Sequence, residues 1–594
     1  MKLAEALKIV NVAAPVDAEK FSVYLACGFL PLHLSTFLAA HLRTRLPARA
    51  VEIQTGLYGD LPGNLAQLAK SSVAAGAVVI EWSDLDPRLG LRRLGGWGPG
   101  VLADIQATVQ QSVDQLLQHL KAMSPSTSIA LCLPTLPLPP ISYQPGEQSG
   151  LTNLLLEKSL ADFALQAAQL PRVKILSQPR LDAVSPLADR LDVKSELASG
   201  FPYRTAHAAR VAELLANLIQ PPPPKKGLIT DLDDTLWRGL LGEEGVAGVS
   251  WELDQRSHIH ALYQQLLGAL AESGVLLAVA SKNVPALVSE ALAREDLLLA
   301  RDRLFPIEVS WNPKSQAVGR ILAAWNIDAD AVVFVDDSAI ELAEVQANYP
   351  ALECLRFPRD DEQAAYELLG KLRDLFGKQE ILAEDAIRAA SLRSRSQFQQ
   401  ENGSAQTLET FLAQVEAELT LGPVATSIAA GAAGAARAFE LVNKTNQFNL
   451  NGRRLSEAEF EAALQRPGAV SLLVGYSDKY GPLGKIAVVL GQVEASLPER
   501  VLRIDTWVMS CRAFSRYIEY KCLEHLFESL NVATIELDFA PTPRNGPLRE
   551  FLAGLVDGEP AVDGERAVPV RIERETFMRR KPALAQKVNE VSYA

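Results

Sequence analysis

The apolar run Gly227-Leu228-Ile229-Thr230 passes directly into Asp231-Leu232-Asp233-Asp234-Thr235. A short uninterrupted apolar run reads as a strand covered on both faces, the hallmark of a parallel α/β sheet. Side chains alternate along such a strand, so Asp231 and Asp233 leave its end on the same side. The C-terminal edge of an open α/β sheet is where ligands bind. Two carboxylates held that close repel unless a cation lies between them, and hard oxygen ligands suit Mg²⁺.

Further pieces come in chain order. Val275-Leu276-Leu277-Ala278-Val279-Ala280 ends in Ser281, whose hydroxyl suits a phosphate oxygen. Lys314 supplies a point charge for a phosphoryl group. Val332-Val333-Phe334-Val335 ends in Asp336-Asp337, further carboxylates for a metal. Strands are expected at about 228–232, 275–280 and 331–335. Asp-rich strand ends are also ordinary turn chemistry, but four elements in one order, three of them closing apolar strands, favour a site. About twenty residues separate Thr235 from a helix expected near Asp254, room for a small flap and not a lid. Only a helix fits between Lys314 and Asp336. A site without a large cap accepts a large partner or is closed by a neighbouring domain.

At roughly 100–200 residues per domain, 594 residues make three or four domains. The net charge of −13 argues against a general nucleic-acid binder. Five scattered cysteines, none in a C-x-x-C pair, argue against a disulfide framework or structural zinc site and point to a reducing compartment. The first twenty residues carry no signal-like pattern. No run approaches 18 apolar residues. A cytoplasmic protein without a membrane span is expected. The proline run 221–224 with Lys225-Lys226 reads as a stiff linker, 221–226. Before it, residues 1–220 alternate strands (77–80, 129–133) with helices (101–121, 205–219), an α/β domain. After it come an α/β domain over 227–375, a polar linker helix over 376–405, and an α+β domain over 406–594 with strands near 469–474 and 502–508. The Ala/Gly-rich stretch 428–436 reads as a loop or a close-packed helix.

The segments DLDDTLWRGLLGEEG (231–245), ASKN (280–283), SWNPKSQ (310–316) and VFVDDSAIE (333–341) resemble the four haloacid-dehalogenase (HAD) motifs, and more narrowly the FkbH-like branch. NKTNQFNLNGRRL (443–455), DTWVMSCRAFSRYIE (505–519) and APTPRNGPLREFL (540–552) extend that resemblance over about 226–555. It implies a Rossmann-like HAD domain without a large cap, flanked by an SGNH hydrolase-like N-terminal domain and a GNAT-like C-terminal acyltransferase domain. By the same resemblance Asp231 is the nucleophile and Asp233 the general acid and base. Thr235, Ser281 and Lys314 contact phosphate. Asp231, Asp233 (through its backbone carbonyl) and Asp336 hold Mg²⁺, with Asp337 in support. The implied activity takes a glyceryl unit from 1,3-bisphosphoglycerate, removes phosphate, and passes the acyl group to the phosphopantetheine arm of an acyl carrier protein, for polyketide or glycan synthesis. Two rivals remain: a plain HAD phosphatase acting on a small phosphate ester, and a non-catalytic docking protein of a biosynthetic assembly.

The flanks carry less. Arg512-Ala513-Phe514-Ser515-Arg516-Tyr517 lies where an acyl-CoA loop is expected, yet has no glycine at 515 or 517. Cys511 beside it is either an acyl relay, activated by Arg512 and Arg516, or an inert thiol. Asn443, Lys444, Thr445 and Asn446 either orient the substrate or carrier arm, or stitch a helix end. In the N-terminal domain Cys27-Gly28-Phe29-Leu30 stands where a Gly-Asp-Ser nucleophile block belongs, Ser35 is not placed in a tight strand–helix turn, and His207, though near the end where a catalytic His could fall, reads as structural. The domain is expected to be a scaffold. Arg579-Arg580-Lys581 suits an acidic carrier or a solvated helix end.

Overall fold

A computed structural model describes residues 1–15, 18–92, 98–141, 143–378, 416–424, 433–479, 481–494, 500–556 and 568–590. The linker helix expected over 376–405 lies almost wholly outside the described residues. Contacts divide the described chain into two units. One is Met1–Pro222 with Ser456–Ala458, and the other is Pro223–Leu455 with Glu459–Ala594.

In the first unit five strands, β1 (Lys20–Ala26), β2 (Ala50–Thr55), β3 (Ala75–Val79), β4 (Ser128–Cys132) and β5 (Val173–Ile175), form a parallel sheet in the order β2-β1-β3-β4-β5. Alternation along β1 feeds both faces. Val23 and Leu25 pack with Phe37, Leu38 and Leu215, while Tyr24 and Ala26 pack with Val109, Leu116 and Phe163. Helices Leu32–Arg45 and Thr205–Ile219 supply the first face, and Leu102–Met123 and Leu151–Ala168 the second. Covering both faces is what an all-parallel sheet requires.

The second unit holds two sheets. The parallel one, β6 (Gly227–Thr230), β7 (Leu276–Ser281), β8 (Leu304–Val309), β9 (Val332–Asp336) and β10 (Glu353–Arg356), runs β10-β9-β6-β7-β8. Helices α1 (His258–Glu272), α2 (Lys314–Trp325), α3 (Ala339–Asn348) and α4 (Glu362–Phe376) connect these strands or lie after them. Leu228 faces Tyr263, Leu267 and Leu372, and its neighbour Ile229 faces Val318, Ile321 and Val345. Gly227 is required, because a Cβ there would stand 2.4 Å from the Trp325 ring. Helix α1 begins at His258 and not near Asp254. The intervening chain closes on itself, with Arg238 and Ser250 exchanging both backbone bonds.

The second sheet is mixed, with β11 (Glu418–Gly422), β12 (Ala469–Asp478), β13 (Gly481–Glu494), β14 (Val501–Met509), β15 (Thr534–Phe539), β16 (Val568–Glu573) and β17 (Lys587–Glu590) in the order β16-β15-β14-β13-β12-β11-β17. Pairs β14/β15 and β11/β17 are parallel and the rest antiparallel. Of the stretch 428–436, residues 433–436 open the helix Ala433–Lys444, and the remainder lies outside the described residues. Among the described residues no helix is long and apolar enough to cross a membrane.

Candidate active site

Strand β6 is the centre of its sheet, so Asp231 emerges at the middle of the C-terminal edge. The ladder extends to that residue, whose N–H donates to Val335 O at 2.9 Å. Beneath it Tyr263 Oη donates to Thr230 Oγ1 at 3.1 Å, and Thr230 Oγ1 donates to Asp231 O at 2.8 Å. Lys314, at the start of α2, is buried and places Nζ 2.8 Å from Asp231 Oδ2 and 2.6 Å from Asp336 Oδ2. Burial alone would lower the lysine pKa, but the two carboxylates raise it above its ordinary value. One oxygen each of Asp231, Asp336 and Asp337 falls within 4.8 Å of the others. Asp231 Oδ1 is buried and has no hydrogen-bond partner, an arrangement that otherwise costs about 1–3 kcal/mol. Three carboxylate oxygens gathered this closely, with Asp231 Oδ1 left unpartnered, fit a divalent cation such as Mg²⁺.

Burial and repulsion from Asp231 push Asp336 up to about 6, against the pull of Lys314. Its Oδ1 is further held by the Ser338 N–H at 2.9 Å. Burial, then Asp231, also raises Asp337. Asp337 Oδ2 pairs with Arg359 at 3.1 Å, and Arg359 also bonds Asp234. The Asp337 N–H donates to Thr235 Oγ1 at 3.1 Å, so that hydroxyl already ties two motif loops together. The Asp233 carboxylate is not one of this close group and accepts from Trp237 Nε1 at 3.0 Å and Asn283 Nδ2 at 3.1 Å. The carboxylate, which the pairing with Asp231 alone would have put on a cation, is thus held by two side-chain donors, and the backbone carbonyl is the group the resemblance assigns to the metal. Burial raises the Asp233 pKa. Ser281 closes β7 on the same edge and is buried. Sequence reasoning missed Arg359, which no motif announces. Trp237 and Asn283 lie inside quoted motifs, but their role depends on contacts across the chain.

Cys511 lies at the other end of the sheet. Its thiol donates to Asn326 O at 3.3 Å, just past the C-terminus of α2. The pocket beside it is lined by Lys226, Asn326, Lys444, Thr445, Asn446 and Gln447. Lys226 precedes β6 and Asp231 comes directly after it, so at about 3.3 Å per residue the two ends stand roughly 16 Å apart. The structure does not bring Cys511 to the Asp231 cluster. Arg516 does not face the thiol either. It is buried over the Tyr476 ring, 3.5 Å from Asp478. The Arg512 side chain lies outside the described residues.

Asn443 spends its side chain on Phe439 O, Leu455 O and Leu455 N. Asn446 bonds Arg454, and Lys444 pairs with Glu440 at 2.7 Å. Gln447 reaches Asn326 Oδ1 at 3.1 Å, and Lys226 Nζ reaches Lys444 O at 3.1 Å. This segment therefore stitches a helix end to the parallel sheet. The next residues, 448–451, close a wedge. Strands β14 and β15 pair from Val501/Thr534 only as far as Ile504/Leu537. Beyond that point Leu450 N donates to Trp507 O, Met509 N to Phe448 O, and Ala540 N to Leu450 O. Asn451 Nδ2 spans Asp505 O and Asp538 O. The gap between the parting strands is thereby filled. Ser515 and Tyr517 adopt φ of +62° and +55°, the region glycine favours, without being glycine. In the basic run, Arg580 donates to Leu555 O and Lys581 pairs with Glu524.

In the first unit the buried Cys27 thiol donates to Phe29 O, and burial pushes its pKa up. Asn64 Nδ2 is spent on Cys27 O and Leu57 O. His207 is buried between Thr135 Oγ1 and Ser185 Oγ, each at 2.9 Å. Ser35 lies in the first turn of helix Leu32–Arg45 and donates to Leu32 O.

No protein-family model matches the chain, and no curated protein matches it. Among solved structures it is similar to the N-terminal part of the protein BF1531 from Bacteroides fragilis, described as containing a phosphatase domain complexed with Mg. Identity is 18%, the TM-score 0.51, and the match covers 64% of this chain and 100% of that one. An uncharacterised protein from Corynebacterium glutamicum ATCC 13032 Kitasato matches 26% of this chain and 98% of its own at 18% identity, with a TM-score of 0.19. At these identities the first likeness shows shared fold alone, and the second carries no argument.

Proposed function

We propose that the parallel sheet of the second unit is a HAD-type phosphoryl-transfer domain with Asp231 as nucleophile. One observation carries this reading: Asp231, Asp336 and Asp337 gather around the buried Lys314, and Asp231 Oδ1 is left without a partner. Lys314 occupies Oδ2, so Oδ1 is the attacking atom. It bonds to phosphorus as the leaving oxygen departs, giving a phospho-aspartate. Asp233 gives a proton to that oxygen, then takes one from the water that releases phosphate. Ser281 and Lys314 hold phosphate oxygens. Asp231, Asp336 and the Asp233 carbonyl, backed by Asp337, would hold Mg²⁺, which supplies charge neutralisation for the phosphoryl oxygens. The Mg carried by the BF1531 phosphatase domain supports the choice of cation.

The finer reading is FkbH-like loading of a glyceryl unit from 1,3-bisphosphoglycerate onto an acyl carrier protein, with a GNAT-like lobe around β11–β17. Its chemistry divides sharply. Attack at phosphorus releases a free carboxylate. A thioester needs a thiol to attack the carbonyl carbon while phosphate leaves whole. The carrier thiol would therefore enter at the Asp231 edge, because Cys511 faces the other. The filled wedge between β14 and β15 favours the rival, a phosphatase acting on a small phosphate ester. The first unit reads as an SGNH-like scaffold, since Cys27, Asn64 and His207 are all consumed internally.

With Mg²⁺ and 1,3-bisphosphoglycerate, Asp231→Asn should lose at least about a thousandfold of phosphate release while remaining folded. Retention of a tenth of the wild-type rate would remove Asp231 from its role. Intact-protein mass spectrometry of a carrier protein in the same reaction separates the two finer readings. A glyceryl adduct supports loading, and free glycerate in step with phosphate supports the phosphatase.

A further inference from the structure

Two loops from different strands converge on one carboxylate. Asp233 Oδ1 accepts from Trp237 Nε1 at 3.0 Å, and Oδ2 accepts from Asn283 Nδ2 at 3.1 Å. An indole N–H can only donate. The Asn283 amide is oriented by its other end, where Oδ1 accepts from Val284 N at 2.9 Å. Each oxygen of Asp233 therefore faces a fixed side-chain donor, which resists rotation of the carboxylate.

Both donors are themselves anchored. Asn283 is buried, and Trp237 lies fully inside a core with Leu236, Leu241, Val249 and Trp251. The flap to which Trp237 belongs is closed by the Arg238–Ser250 pair. Arg294 stacks over Trp251 at 4.2 Å and donates to Val246 O and Val249 O, each at 2.8 Å. The flap is pinned from beneath, and the indole is held with it.

We propose that Trp237 and Asn283 are positioning residues that aim the Asp233 carboxyl at the leaving-group oxygen. This rests on the phosphoryl-transfer reading above. In that step Asp231 Oδ1 forms a bond to phosphorus and the bond from phosphorus to the leaving oxygen breaks. The electron pair stays on that oxygen and takes the Asp233 proton. A misplacement of about 1 Å costs on the order of a hundredfold. The cost should depend on the leaving group. An alkoxide must be protonated as it departs, whereas the carboxylate released from an acyl phosphate is already a weak base.

The test uses the full chain with Mg²⁺ and compares kcat/KM for alkyl phosphates, a series of aryl phosphates, and acetyl phosphate. This quantity reports cleavage of the first bond and not later hydrolysis of the phospho-aspartate. Trp237→Phe keeps an aromatic ring in the flap core and removes only the donor. Asn283→Ala removes the other donor without touching that core. Each variant should lose about tenfold or more with an alkyl phosphate and about threefold or less with acetyl phosphate, so the dependence on leaving-group pKa steepens. A merely structural role would lower all substrates alike, and equal losses in both variants overturn the proposal while leaving the phosphatase reading intact. A wild-type chain that releases no phosphate from any of these substrates overturns both.

Discussion

Lys314→Met tests whether the carboxylate cluster is built around its lysine. The ammonium lies 2.8 Å from Asp231 and 2.6 Å from Asp336, with almost no access to water. At an effective dielectric of about 20, each contact is worth roughly 6 kcal/mol of attraction, most of it offset by desolvation of the three ions. Removing one partner of a buried ion cluster leaves the others uncompensated and costs about 3–5 kcal/mol. For a unit of this size that is on the order of 10 °C in Tm. Methionine keeps the length of the stem, so cavity formation adds little. The assay is thermal and urea unfolding of the full chain, first with EDTA and then with Mg²⁺. The variant should lose the full amount in EDTA and recover part of it with Mg²⁺, because bound cation replaces the missing charge. A loss below about 1 kcal/mol in EDTA would refute the picture of a lysine-clamped cluster.

The same geometry fixes other outcomes. Cys511→Ala should leave phosphate release within about twofold of wild type, since the thiol sits at the far edge of the sheet; a drop in excess of about tenfold would mean the two edges communicate. Ser515→Gly should raise stability by up to about 1 kcal/mol, because φ of +62° is strained for serine, and urea titration showing destabilisation would contradict that backbone. His207 is held neutral, as burial and Arg190 depress its pKa to about 3. A depressed pKa means its contribution is fully present above about pH 6.5 and is lost as pH falls toward 3. The stability gap between wild type and His207→Gln should therefore narrow by up to about 1.4 kcal/mol per pH unit across that window, and a gap that stays constant in urea unfolding at pH 6 and pH 4 would count against it.

Local pattern alone was enough to place the three central strands of the sheet around Asp231. Strands β6, β7 and β9 are short, apolar on both faces, and end at or directly before the residue that matters, so Asp231, Ser281 and Asp336 could be assigned to one edge from their position in the chain, whereas β8 and β10, with Glu308, Glu353 and Arg356 in them, carried no such pattern. The helix Thr205–Ile219 was likewise legible from periodicity. What the chain could not announce were contacts between distant segments. Whether Asp233 joins a metal cluster depends on a tryptophan in the flap and an asparagine fifty residues away. Arg359 carries no motif, yet ties Asp234 to Asp337. Cys511 has a suggestive neighbourhood in one dimension, with two arginines close after it. In three dimensions Arg516 folds inward to Asp478, and the thiol meets the N-terminal edge of the parallel sheet. A strand's direction and burial are dictated by its own side chains, but which strand end faces a given loop is set only when separate elements pack. For that reason the carboxylate cluster at the end of β6 could be read from the chain, and the separation of Cys511 from it could not.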